Sequence, residues 1–327
     1  MSSLSRSHFL TAAGAAALAA GVPLRARAAD RLAVDYAYYN PPSLVLKSKG
    51  WLEEALAKRG TGVDWVLSLG SNKANQFLQA GAVQFGSTAG SAALLARANG
   101  SPIKTVFLYS RPEWTALVVG KDSPFKSVKD LKGKKVAATR GTDPWFFLLR
   151  SLSANGLQPT DVQLVDLQHP DGRTALERGQ VDAWAGLDPH MAATQLDAGS
   201  RLLYRNVAFN TWGALNVRED FLAQHGDVAA IVLQQYDRAR KYAASHVEET
   251  AALLSDASHV ERRVADLQLR ERTTYPGNGT PGTDYHDAIA GVIPLIRADK
   301  LAKPDADLDG ALGSLIDSRV AATALRG

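Results

Sequence analysis

The stretch Val83–Ala96, VQFGSTAGSAALLA, runs from a strand-like apolar alternation through glycine and hydroxyl residues straight into a helix rich in alanine and leucine. Further along, Lys135–Leu149, KVAATRGTDPWFFLL, repeats the order. Each reads as strand, tight turn and helix start, the unit from which alternating α/β sheets are built. Before the first unit, apolar alternation over Leu32–Tyr38 and Val63–Leu69 supplies two strands. A helix carrying Leu44, Leu46 and Trp51 lies between them, and Gly70-Ser71-Asn72 turns into a short helix over Lys73–Ala80. Val106–Leu108 and Leu117–Val119 are apolar runs on either side of Ser110–Trp114, and the second unit continues as helix 144–155, strand 162–167, helix 171–179, strand 181–185 and helix 189–198. Trp212–Val217 returns as a strand, after which helices are expected over 228–245, 247–255, 260–268 and 285–300, interrupted by the glycine-rich Pro276–Gly282.

The 327 residues suffice for two domains of ordinary size. Hydrophobic residues at 46% and charged residues at 21% mark a folded chain rather than a disordered one. Residues 1–28 have the three parts of an export signal: Arg6 in a polar start, an apolar run from Phe9 to Val22, and the small-residue site Ala26-Arg27-Ala28, with cleavage expected after Ala28. The apolar run is shorter than the roughly 20 residues a membrane span needs. Arg6, Arg25 and Arg27 account for three of the formal charge of +4, so the remaining body is +1. That gives no electrostatic reason to expect nucleic acid or a membrane surface as partner. Zero cysteines exclude disulfides, thiolate metal sites, thiol nucleophiles and a lipid-bearing cysteine anchor, so an untethered periplasmic protein is expected.

The glycine-hydroxyl turns admit two uses. The first N–H groups of a helix lack internal partners and carry partial positive charge, so Gly86, Ser87, Thr88 and Ser91 could receive an anion; equally, Ser87 or Thr88 could cap its own helix. A catalytic reading starts from the likeness of GSTAG to G-x-S-x-G, with Thr88 as the nucleophile of a threonine-dependent hydrolase. That chemistry needs a histidine base, and His169, His190, His225, His246, His259 and His286 are scattered singly with no triad context. Asp166, His169 and Asp171 match no metal-ligand spacing, so neither metal nor cofactor is expected.

Three segments in combination carry a resemblance: the GST turn, Ser123–Ala137 (SPFKSVKDLKGKKVA), and Val181–Ala185 (VDAWA) with Asp188-Pro189. With them the chain resembles the periplasmic solute-binding proteins of ABC importers, in the branch that takes up aliphatic sulfonates and relatives such as taurine, nitrate and thiamine-precursor pyrimidines. The resemblance implies a type II periplasmic binding protein, with two α/β lobes and a ligand cleft between them. The first lobe would comprise 30–115 plus 213–327 and the second 116–212. It further implies a monomer without enzymatic activity that hands a small organic oxyanion, an alkanesulfonate first of all, to a membrane permease; a sensory receptor is the other conceivable recipient. Carried over by position, the cleft would draw on Tyr38, Tyr39 and Asn40, on Ser87 and Thr88, on Gly141, Thr142 and Asp143, and on Trp184 to Asp188, with Trp145 and Trp212 as apolar walls; the tyrosines and tryptophans have the core as their competing place. Asp143 before Pro144, and Asp188 before Pro189, also have the pattern of helix caps. Arg111 would supply the counter-charge if it points into the cleft and is otherwise a solvated loop arginine, and Asp143 would either occupy the donors an anion needs or face an amine on the ligand.

Overall fold

The computed structural model describes residues 31–326; the export-signal reading lies outside them. The chain begins with β1 (Arg31–Tyr36), α1 (Pro41–Lys49), α2 (Trp51–Ala57), β2 (Gly62–Leu67), α3 (Ser71–Ala80), β3 (Phe85–Ala89), α4 (Gly90–Ala98) and β4 (Ile103–Ser110). It crosses into β5 (Leu117–Val119), β6 (Lys135–Ala138), α5 (Asp143–Ala154), β7 (Gln163–Asp166), α6 (His169–Glu177), β8 (Ala183–Ala185), α7 (His190–Asp197) and β9 (Arg201–Tyr204). It returns through β10 (Gly213–Arg218) to α8 (Glu219–Gln224), α9 (Gly226–Ser245), α10 (Val247–Ser258), α11 (Arg262–Glu271), α12 (Thr283–Ala290), α13 (Ile293–Ala298), α14 (Leu308–Leu315) and α15 (Arg319–Ala324).

Two five-stranded sheets result, in the orders β2-β1-β3-β10-β4 and β7-β6-β8-β5-β9. Each has three parallel strands followed by one antiparallel strand delivered by a crossing, β10 in the first and β5 in the second. The α/β architecture expected from the alternation and the two lobes that the resemblance implies are therefore present. Both sheets are covered on two faces. In the first, Val34, Phe85, Leu215 and Val217 pack toward α1 and α9, while Leu108 and Ala214 pack toward α4, α12 and α14. In the second, Leu117, Val136 and Ala183 lie under α5, and Val118, Ala137 and Trp184 lie under α6 and α7. Phe146 of α5 enters the core of the first lobe, as does Leu187 from beyond β8, so the lobes are in contact.

The opening stretch corrects one sequence expectation. Gly86-Ser87-Thr88 is not a turn but the middle of β3, paired with β10 from Phe85↔Val217 to Ala89↔Gly213. A central strand with ladder partners on both sides outweighs the local preference of small residues for a turn. Gly86 is required for a different reason: a Cβ there would stand 2.8 Å from Leu78 Cδ1, where α3 crosses the strand. The helix start moves on to Gly90. The single helix expected over 285–300 is divided into α12 and α13, with Pro294 lacking the N–H that would continue it. The sequence reading also passed over α14 and α15; α14 is capped by Asp307, whose side chain accepts from the Gly310 N–H at 2.9 Å.

Candidate functional site

Where the lobes meet, the N-termini of four helices face one another in two pairs. In the first pair, α3 begins beside Gly70 and α6 beside Gln168, neither with a side-chain cap. Asn72 Nδ2 donates to Gln168 Oε1 at 3.3 Å, and a Cβ on Gly70 would lie 3.0 Å from His169 Nε2. In the second pair, α4 meets α5 through Ser91 Oγ, which donates to Asp143 Oδ1 at 2.7 Å. The dipoles of four helix N-termini add positive potential along this seam.

Asp143 neutralises one half of that field. Its carboxylate accepts from Ser91 Oγ, from Thr211 N–H at 2.7 Å and Thr211 Oγ1 at 2.6 Å, and from Trp114 Nε1 at 2.8 Å. It does not cap its own helix, whose N-cap position is Thr142. The expectation of a capping Asp143 is corrected accordingly: donors from both crossing segments and from α4 reach it first. Those four bonds also take up the carboxylate that the sequence reading offered to a ligand amine.

Ser87 and Thr88 are fully buried and their hydroxyls are committed within the lobe. Ser87 Oγ donates to Asp35 Oδ1 at 2.5 Å and accepts from Asn40 Nδ2 at 3.0 Å; Ser87 N–H donates to the same Asp35 oxygen at 2.8 Å. Burial pushes the Asp35 carboxyl up to about 7, with the hydrogen bonds from Ser87 pulling it back. Thr88 Oγ1 donates to the Ala89 carbonyl and accepts from Asn216 Nδ2 at 2.8 Å, and so has an amide rather than an imidazole as neighbour. Asn40 is the N-cap of α1, accepting from Ser43 N–H at 3.3 Å, and Pro41 and Pro42 follow where a missing N–H costs nothing. Tyr39 donates its hydroxyl to the Ser87 carbonyl at 3.0 Å and meets Trp114 edge-on at 6.1 Å, whereas Tyr38 is half-buried against α10 and α11.

The other residues singled out from sequence divide between core and seam. Trp184 is wholly buried in β8, and Trp145 is core with its Nε1 donating to Asp299 at 2.9 Å. Thr142 Oγ1 donates to the Thr139 carbonyl at 2.6 Å, and Gly141 takes the left-handed φ of 75° that the turn into α5 requires. Asp188 does serve a helix end, accepting from Ala192 N–H at 2.9 Å, and is also paired with Arg272 Nη1 at 3.0 Å. Burial raises Asp188 to about 6 despite that guanidinium, and Glu113 adds to the rise. Trp212 accepts the Gly90 N–H at its carbonyl, and the exposed Arg111 guanidinium lies 4.8 Å from its ring centre. Sequence reasoning missed Trp114, Thr211, Arg272 and the seam role of Asn72 and His169. One signal was available, since Gly70-Ser71-Asn72 before a helix has the same grammar as the turns that were chosen. Among the described residues, no group of three or more His, Cys, Asp or Glu is placed to hold a metal ion.

Two mixed five-stranded sheets joined by two crossings, with helix N-termini aimed at the seam between them, define a two-lobed periplasmic solute-binding protein. The family described as NMT1/THI5 like matches residues 40–250, and the chain belongs to it; it is the substrate-binding component of an ABC importer. The alkanesulfonate-binding protein SsuA of Xanthomonas axonopodis pv. citri, solved bound to MOPS, has a similar fold. Its TM-score is 0.78 at 23% identity, covering 86% of this chain and 97% of that one. The periplasmic aliphatic sulphonate binding protein SsuA of Escherichia coli superposes with a TM-score of 0.74 at 26% identity, covering 86% and 91%. A Bacillus subtilis (strain 168) protein named for aliphatic sulfonate binding is 29% identical over 232 residues, 70% of each chain.

Proposed function

We propose that the protein captures small organic oxyanions, aliphatic sulfonates foremost, in the seam between its lobes and delivers them to the permease of an ABC importer. The observation that carries this reading is the meeting of four helix N-termini across the seam, of which only the α4–α5 pair is bridged by a buried carboxylate; the acid in the first turn of α6, Asp171, is exposed. The anion is therefore placed at the α3–α6 pair, where backbone N–H groups and helix dipoles act without a competing side-chain cap. Arg111 beside Trp212 is the cationic group assigned to the approach, and Asn40, Ser87, Thr88 and Asp188 shape the seam through the bonds described above. The lobes on this reading are 30–115 plus 213–327, and 116–212, and the mature chain begins after Ala28. Hinged opening of the lobes admits the ligand.

Titration calorimetry with a series of alkanesulfonates, sulfate and nitrate tests the ligand class; binding of none of them rejects it. Gly70→Ala tests the placement, because the added Cβ would stand 2.8 Å from Asn72 Oδ1 and 3.0 Å from His169 Nε2. It should weaken binding about tenfold, a loss of about 1.4 kcal/mol. Unchanged affinity would move the anion elsewhere.

A further inference from the structure

α11 packs on both lobes. On one side Ala265 and Leu269 meet Leu44 of α1 and Ala251 and Leu254 of α10, helices of the first lobe, and Glu248 of α10 holds Arg262 and Arg270. On the other side Val264 meets Ala192 and Ala193 of α7, which is fixed to the second sheet through Met191 and Trp184. An ion pair stands at each end of this second contact. At the end nearer the crossings Arg272 Nη1 lies 3.0 Å from Asp188 Oδ1, with both side chains buried. At the other end Arg263 Nη2 lies 2.9 Å from Asp197 Oδ1 and Nη1 donates to the Leu196 carbonyl at 3.3 Å, with the Arg263 side chain 51% exposed. α11 therefore reaches from the seam along α7 to the last residue of that helix, an arm of the first lobe laid on the flank of the second.

The two ends of the arm are held with different firmness. Arg272 and Asp188 are both tied by backbone to the first crossing: Glu113 N–H donates to the Arg272 carbonyl at 2.7 Å, Arg111 N–H to the Thr274 carbonyl at 2.7 Å, and Asp188 N–H to the Trp114 carbonyl at 3.1 Å. Points on a hinge move least when the lobes turn about it. Arg263 lies about 13 Å from Arg272 along α11, at 1.5 Å per residue, so the same rotation displaces the Arg263–Asp197 end far more. Asp197 is also shared with Arg173 of its own lobe at 3.0 Å. An exposed, shared ion pair is weak and screened by salt, which suits a contact that forms and parts repeatedly.

We propose that α11 is a strap between the lobes, pinned at its root by Arg272–Asp188 and closed at its tip by Arg263–Asp197, and that the tip is a catch released each time the seam opens. The catch favours the closed form from outside the cleft, whichever solute the seam receives.

The chain contains no cysteine, so a single introduced thiol reports opening without any ligand. Ser91 is buried in the seam against Asp143, and in Ser91→Cys iodoacetamide reaches the thiol only when the lobes part. Labelling is followed by intact mass on the mature protein, in buffer and in low concentrations of urea. Adding Arg263→Gln should raise the labelling rate about threefold, the weight of one exposed ion pair, and Arg263→Glu, which sets a carboxylate against Asp197, should raise it further. High salt should bring Arg263→Gln and its parent together. Arg31→Gln removes an exposed pair with Asp64 inside the first lobe and should leave the rate as it was. The rates should vary little with low urea, as expected when opening exposes far less surface than unfolding. No acceleration in either Arg263 variant overturns the strap. Equal acceleration in Arg31→Gln, or a rate that climbs with urea as steeply as global unfolding, overturns it as well.

Discussion

Replacing Asp143 by alanine and by asparagine should have very unequal effects, and the inequality follows from which of its four donors can turn. Asp143 Oδ2 receives Thr211 N–H and Trp114 Nε1, both fixed in direction, whereas Oδ1 receives the hydroxyls of Ser91 and Thr211, both free to rotate. In Asp143→Ala the hydroxyls can turn toward each other, being already 3.4 Å apart, but the two fixed N–H groups stay buried and unpaired. At about 1–3 kcal/mol for each orphaned donor, the loss is roughly 4 kcal/mol. In Asp143→Asn the amide oxygen can take the place of Oδ2 and keep both fixed donors, while the amide N–H groups donate to the rotated hydroxyls. Only the charge assistance is lost, about 1.5 kcal/mol. Urea unfolding followed in parallel by tryptophan fluorescence and far-ultraviolet circular dichroism measures both values, provided the two probes give one transition. An alanine variant within about 1 kcal/mol of wild type, or an asparagine variant as unstable as the alanine one, would refute this account of the seam.

Two further outcomes can be checked with the same equipment. Because burial holds Asp35 at about 7 in the folded protein against 3.8 ordinarily, the unfolded chain ionises first as pH rises, so stability should fall between about pH 4 and 7. Asp35→Asn should flatten that slope, which amounts to about 4 kcal/mol in total; a slope unchanged by the substitution would assign it to other groups. Arg272→Met should cost about 3–5 kcal/mol by leaving the buried Asp188 carboxylate without its guanidinium, and adding Asp188→Asn should recover a large part of the loss in thermal unfolding. No recovery would mean that Arg272 acts through its bond to Gln195 instead.

The fold was legible because hydrophobic period and turn residues repeat at α/β spacing through most of the chain, and the second lobe's elements lie within a few residues of their expected positions. The site was less so. Ser87 and Thr88 look like turn residues by composition, and what makes them strand residues is β10, which arrives more than a hundred residues later in the chain. Asp143 before proline looks like a cap because capping is local, whereas Ser91, Trp114 and Thr211 reach it through folding. Trp145 and Trp184 are core, the more usual place for such a ring, but an indole also serves as a ligand wall and only the packing decides between the two. His169 was dismissed as isolated; its neighbours Asn72, Gly70 and Thr139 come from two other stretches of chain and both lobes.

The position of β10 has a consequence for biogenesis. β3 and β4 are not neighbours; the strand that joins them is supplied only after β5–β9 have been made. A nascent chain emerging from the ribosome thus lacks the wedge that closes its first sheet until more than two hundred residues have been synthesised. For a chain that crosses a membrane unfolded, that delay would keep the cargo open until it reached the translocation channel.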